Sequence, residues 1–141
     1  MGEIWVRHRA GEEFAISVRG HTLPSGQPPD GAEAGPTPLE LFVASLATCQ
    51  ALAAAHFLSR HGLEDGELEL VVTFDIDEGP PTRLGWTRSE LRLPRTLPDQ
   101  IETAVVRAMD HCTVSNALRY PPRVELLVAD TGALTSELIE R

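Results

Sequence analysis

The sequence has no lysine: its twelve basic residues are all arginine, set against 21 acidic ones, for a net charge of -9. Such a chain offers no lysine nucleophile and no Schiff-base amine. The shortage of positive charge also argues against a nucleic-acid binder, which carries a basic footprint. Cysteine is nearly as scarce. Cys49 and Cys112 are the only two, 63 positions apart, and no CxxC motif exists. Cysteine alone therefore cannot supply a four-ligand zinc site. Of the five histidines, His8, His21 and His61 form no metal-ligand spacing, and we expect no metal. The opening Met-Gly-Glu-Ile-Trp lacks the charged and apolar regions of a signal peptide, and Val6 breaks the myristoylation pattern. The expectation is a cytoplasmic protein without a membrane partner, in which two cysteines are reactive or simply buried rather than locked in a disulfide.

What is present suits one domain over residues 1–141. Apolar residues make up 42% and charged residues 23%, and a chain of this length can build a core without staples. Ile4 and Val6, then Phe14, Ile16 and Val18, alternate as two strands joined by a polar, glycine-bearing hairpin. A short strand near His21–Leu23 opens a long Gly- and Pro-rich loop that reaches residue 37.

Thr37-Pro38-Leu39-Glu40 then reads as a capping box: threonine caps, proline takes the first helical position, and glutamate reaches back to the cap amide. Leu41–Leu58 carries no formal charge if His56 is neutral. The run is as long as the shortest membrane spans. Its Ser45, Thr48, Gln50 and many alanines favour a water-soluble helix of about 20 residues, roughly 30 Å long. Apolar residues surround its axis, which predicts burial on nearly all sides. So small a chain has difficulty wrapping that helix alone, and this implies a subunit interface. Gly62 ends it.

Two strands follow, Glu67–Ile76 and Leu84–Leu93. Thr96-Leu97-Pro98-Asp99 starts a second helix, along which Ile101, Ala104, Val105, Ala108 and Met109 recur at helical spacing. Residues 110–118 predict a short helical turn that Asp110 could cap. Val124–Val128 predicts a closing strand, and 131–141 a weakly helical tail. The order ββ(β)-α-ββ-α-β is α+β rather than doubly wound.

Each cysteine has two readings. Cys49, in the middle of the apolar helix, is a buried small hydrophobe or a reactive thiol. Cys112, beside a helix start, is a packing residue or a thiol whose ionised form the helix favours. Together they could serve as the attacking and resolving thiols of a peroxidase, which requires Cα atoms within about 7 Å. The attacking thiolate then needs a cation, and without lysine this must be arginine or histidine. Arg7, Arg9 and Arg19 flank the N-terminal hairpin. His56 lies two helical turns beyond Cys49, too far for a direct hydrogen bond.

Gly35-Pro36-Thr37-Pro38-Leu39-Glu40-Leu41-Phe42-Val43-Ala44-Ser45-Leu46-Ala47-Thr48-Cys49 resembles the central-helix motif of the OsmC/Ohr family. Cys112-Thr113-Val114-Ser115-Asn116-Ala117-Leu118 resembles its second-cysteine motif, and Gly20-His21-Thr22-Leu23 also fits. The likeness spans about residues 3–129, leaving 130–141 as a tail. It implies antiparallel sheets packed around a long buried central helix, in an intertwined homodimer with sites at the subunit interface. The peroxidase members reduce organic hydroperoxides with two cysteines and no bound cofactor, and an external dithiol or lipoyl-type reductant restores them. On that pattern Cys49 is peroxidatic and Cys112 resolving. A hairpin arginine stabilises the thiolate, sometimes across the dimer; Arg9 aligns best, with Arg7 and Arg19 behind it.

One position departs from the pattern. The best-characterised peroxidase branch has a glutamate ten residues before the first cysteine, orienting the arginine. Leu39 stands there, and Glu40 follows one residue later. Nine helical residues turn through about 900°, so Glu40 and Cys49 lie on opposite faces. Glu40 is thus either a catalytic orienter or only the acid of the capping box. The sequence sits closer to the general OsmC-like branch, and an alternative function follows: a non-catalytic dimer that binds an apolar small molecule at its interface.

Overall fold

The structure, a computed structural model, describes residues 1–28, 34–63 and 67–129. Three N-terminal strands, β1 (Trp5–Ala10), β2 (Glu13–Val18) and β3 (His21–Gly26), form an antiparallel meander. Gly11, with φ +53°, turns the first hairpin. Arg19 (φ +48°) and Gly20 (φ +84°) turn the second, the positive-φ pair that a twisted two-residue hairpin requires. The third strand runs past the predicted Leu23 to Gly26. Val6, Ile16 and Leu23 pair across the sheet, as do His8, Phe14 and Ser25. Val6, Phe14 and Leu23 of that face remain exposed.

Helix α1 (Pro38–Arg60) follows. Its predicted capping box is present: Glu40 N–H donates to Thr37 Oγ1 (3.2 Å), and Thr37 N–H donates to Glu40 Oε1 (2.9 Å). Strands β4 (Glu69–Asp77) and β5 (Arg83–Arg92) form a separate hairpin, and helices α2 (Asp99–Asp110) and α3 (Thr113–Arg119) complete the described elements. The core lies where α1 crosses α2: Ala54, Leu58, Leu97, Val105 and Met109 are buried together. Leu68 and Leu70 from one side of the hairpin, and Leu91 and Leu93 from the other, pack against them. By length and composition α1 could cross a membrane, but it packs on α2, α3, β4 and β5.

As expected of so small a chain, α1 is not wrapped on all sides by the described residues. Val43, Leu46, Ala54 and Leu58 form a buried stripe, while Phe42 (41% exposed) and Leu52 (54%) lie on an open one. The helix packs against α2, α3, β4 and β5, and Ala54 and Leu58 enter the shared core. On the open stripe Ser45 Oγ donates to Phe42 O and Thr48 Oγ1 to Ala44 O, so these hydroxyls are satisfied within the helix. Two expectations need correction. First, Val124–Val128 forms no strand. Residues 121–129 have no regular structure and are exposed. A strand pattern supplies β propensity but no edge to pair with, and neither sheet takes this segment up. Second, Asp110 does not cap α3. It is the last residue of α2, and Cys112 occupies the cap position. The expected helical tail, 131–141, lies outside the described residues.

Candidate active site: a two-cysteine cluster

Cys49 sits midway along α1, where the buried stripe borders the open one, and is half-buried. Cys112 is buried at the start of α3. Helix α3 packs against α1 and so brings the second thiol to the first. The contact is specific: Val114 N–H, in the first turn of α3, donates to Cys49 Sγ at 3.4 Å. On the other side of the pair, Cys112 Sγ–H donates to Ser115 Oγ at 3.2 Å. Both cysteines are free thiols.

The corner that carries Cys112 is held at both ends. Arg119 bonds the Asp110 carboxylate at 2.7 Å and the Asp110 carbonyl at 3.1 Å. Asn116 Nδ2 donates to His111 O at 3.2 Å, and the His111 ring meets Arg107 O. Beside Cys49, Ser89 Oγ of β5 donates to Gln50 Oε1 at 2.6 Å, tying the cysteine's turn of α1 to the second sheet.

The electrostatics of the two thiols differ. Burial pushes the Cys49 thiol above its ordinary value. The Val114 N–H opposes that rise, and the neighbouring Cys112 adds to it. Burial also acts upward on Cys112, but the Ser115 hydroxyl and N–H, with help from Cys49 and Val114, outweigh it and bring this thiol below its ordinary value. A thiolate is the nucleophilic form, and among the described residues no cation is one of the groups that shift Cys49.

The other candidate residues lie elsewhere in this chain. Arg9 falls at the irregularity of the β1–β2 pairing, between His8 and Ala10. It lines a surface cleft with Glu13, Thr22 and Pro24. Arg7 stacks over the Trp5 ring at 5.2 Å, and Arg19 occupies the β2–β3 turn. None of the three is among the groups that act on the Cys49 thiol. Glu40 is engaged by Thr37, whose amide and hydroxyl hold its carboxyl below the usual range. It stands about 13 Å along the helix from Cys49.

Sequence reasoning missed three contributors: Ser115, the Val114 amide and the Gln50–Ser89 bond. Ser115 had a local signal, since a serine three residues after a helix-starting cysteine returns to face it. The other two depend on α3 and β5 meeting α1, which no local pattern specifies.

The profile of the OsmC-like protein family matches residues 30–127. No curated protein matches the chain in sequence. Solved structures do resemble it. One is a Psychrobacter arcticus protein described for osmotic stress induction and detoxification response, with a TM-score of 0.75 and 15% identity over 83% of this chain and 88% of that one. A Legionella pneumophila organic hydroperoxide resistance protein OsmC gives 0.64 and 22% over 83% and 89%. The organic hydroperoxide resistance protein OhrB of Bacillus subtilis gives 0.59 and 24% over 84% and 92%. At these identities the likeness establishes the fold.

Proposed function

We propose a function from one premise: the chain belongs to the OsmC-like family. The reading is a homodimeric, thiol-dependent organic hydroperoxide reductase of the cytoplasm. The observation that carries it is the meeting of the chain's two cysteines, on α1 and at the start of α3.

In this reading the Cys49 thiolate attacks the terminal oxygen of a hydroperoxide. The O–O bond breaks, an alcohol leaves, and Cys49 becomes a sulfenic acid. The Cys112 sulfur then attacks the Cys49 sulfur, closing a disulfide and releasing water. An external dithiol reopens it by exchange. No cation among the described residues acts on Cys49, and in this reading a second copy supplies one, with Arg9 as the first candidate. The open stripe of α1, the apolar face of the first sheet and the exposed Val124–Val128 segment support such an association. Large exposed apolar side chains in such number are what an interaction surface presents.

The alternative is a non-catalytic dimer binding an apolar small molecule, favoured by the raised Cys49 thiol and by an apolar cleft of about 590 Å³ lined by Val6, Phe14, Ile16 and Leu41. One experiment separates the two. Reduced protein is mixed with cumene hydroperoxide and a dithiol, and peroxide loss is followed. Turnover by wild type, none by Cys49→Ser, and overoxidation of Cys49 in Cys112→Ser support the peroxidase. No peroxide loss with any dithiol leaves the binding reading.

A further inference from the structure

The Cys112 thiol is not free beside Cys49. Cys112 occupies the cap position of α3, and Ser115, in the first turn of that helix, faces back onto it. The two residues are 7% and 8% exposed. A buried hydroxyl is costly unless it is hydrogen-bonded, and here the partner is a sulfur atom. Serine is suited to both states of that sulfur. It accepts from S–H in the resting thiol and donates O–H to the ionised one. The Arg119–Asp110 and Asn116–His111 contacts fix the corner around the pair, so the hydroxyl and the sulfur keep their relative position.

Resting on the peroxidase reading, we propose that Ser115 is a positioning residue for the resolving thiol: its hydroxyl holds Cys112 Sγ beside Cys49 and donates a hydrogen bond to that sulfur as it attacks. In the step concerned, the Cys112 S–H bond and the Cys49 S–O bond break while the S–S bond forms. The Cys49 sulfur is reduced and the Cys112 sulfur oxidised. The thiol proton and the departing hydroxide leave as water. Donation from Ser115 favours the attacking form of Cys112, and it is one of the interactions that bring this thiol below its ordinary value. Among the described residues, titratable groups around Cys112 include Cys49 on α1, His111 next to it in the chain, and the Asp110–Arg119 pair. His111 is bonded to a backbone carbonyl, and the Asp110–Arg119 charges engage each other. Of these groups only Cys49 is among those that shift Cys112.

The test uses the full chain as Ser115→Ala and Ser115→Thr. Reduced protein receives one equivalent of cumene hydroperoxide from about pH 5 to 9, a span that brackets thiol titration. Samples are quenched, alkylated and weighed by mass spectrometry. Ser115→Ala is expected to slow disulfide closure about tenfold relative to loss of the Cys49 thiol, and to raise its pH midpoint by about one unit, the scale of one hydrogen bond to an ion. The Cys49 sulfenic acid should persist, and with excess hydroperoxide it should go on to sulfinate. Ser115→Thr, which keeps the hydroxyl, should restore the rate and the midpoint, as a merely structural role for Ser115 would not require. Closure by Ser115→Ala at the wild-type rate with an unmoved midpoint overturns the proposal. Failure of wild-type Cys49 to be oxidised instead defeats the peroxidase reading. The Ser115 contact is then read separately from ultraviolet thiolate absorbance in a Cys49→Ser background. There, a Cys112 midpoint that does not rise when Ser115 becomes alanine shows the hydroxyl to be idle.

Discussion

Oxidation of the reduced protein should stabilise its fold by a predictable amount. A Cys49–Cys112 disulfide closes a loop of 63 positions. In the chain-entropy treatment a loop of this length removes about 14 cal/mol/K from the unfolded ensemble, or about 4.3 kcal/mol at room temperature. Two native contacts are given up or altered: the Cys112–Ser115 bond and the Val114 amide on Cys49. At about 1 kcal/mol for ordinary hydrogen bonds, and less for sulfur, the net gain is about 3 kcal/mol. The thiols already interact in the reduced fold, so the bridge requires little movement of α3 against α1. The assay is urea unfolding of reduced and peroxide-treated protein at one fixed concentration, because stability depends on concentration in any protein that self-associates. The urea midpoint should rise by about 1–2 M. Cys112→Ser protein, treated identically, should show no such rise. If the oxidised wild type forms the intrachain disulfide yet gains less than about 1 kcal/mol, or loses stability, then the fold does not hold the two sulfurs ready to bond.

Three further substitutions have expected outcomes. Arg9→Ala should raise the pH midpoint of Cys49 alkylation, because a cation favours the thiolate and its loss favours the thiol; an unmoved midpoint transfers the role to Arg7 or Arg19. Glu40→Gln should keep activity if Glu40 only caps, since glutamine also completes a capping box, whereas an orienting carboxylate would make this change as damaging as Glu40→Ala. The folded-state pKa of Glu40 lies below its ordinary 4.5, so its contribution is present above that value and lost as pH falls through the folded pKa. Acid unfolding of Glu40→Gln should therefore lack part of the wild-type pH dependence. Leu52→Glu puts a charge on the open stripe of α1 and should lower the sedimentation mass from twice 15.4 kDa to 15.4 kDa, while a wild type that already sediments at the smaller mass refutes the dimer.

The elements built from local rules were legible from the residues alone. The Thr37–Glu40 box set the start of α1, and alternation set β1, β2, β4 and β5 to within a few residues. The apolar spacing of Ile101, Val105 and Met109 gave α2, whose Val105 and Met109 enter the core. The third strand was read short because Pro24, Ser25 and Gly26 look like loop; they are extended because β2 offers Phe14 and Ala15 as partners for Ser25 and Pro24. Val124–Val128 failed in the opposite direction, with a strand's composition and no edge to join.

The sequence by itself therefore determined the kinds of element and the stock of chemistry. It offered two thiols, twelve arginines, no lysine, and an apolar helix with one thiol at its middle. These follow from residue type and spacing over a few turns of chain. Only the tertiary structure decided which groups meet. It brought Cys112 across 63 positions to Cys49, aimed the Val114 amide and the Ser115 hydroxyl at the two sulfurs, and left the arginines of the hairpin away from them. It also decided which stripe of α1 stays open. The reason is physical: a capping box or an alternating strand is completed by neighbours in the chain, whereas a reactive pair exists only once two helices have packed.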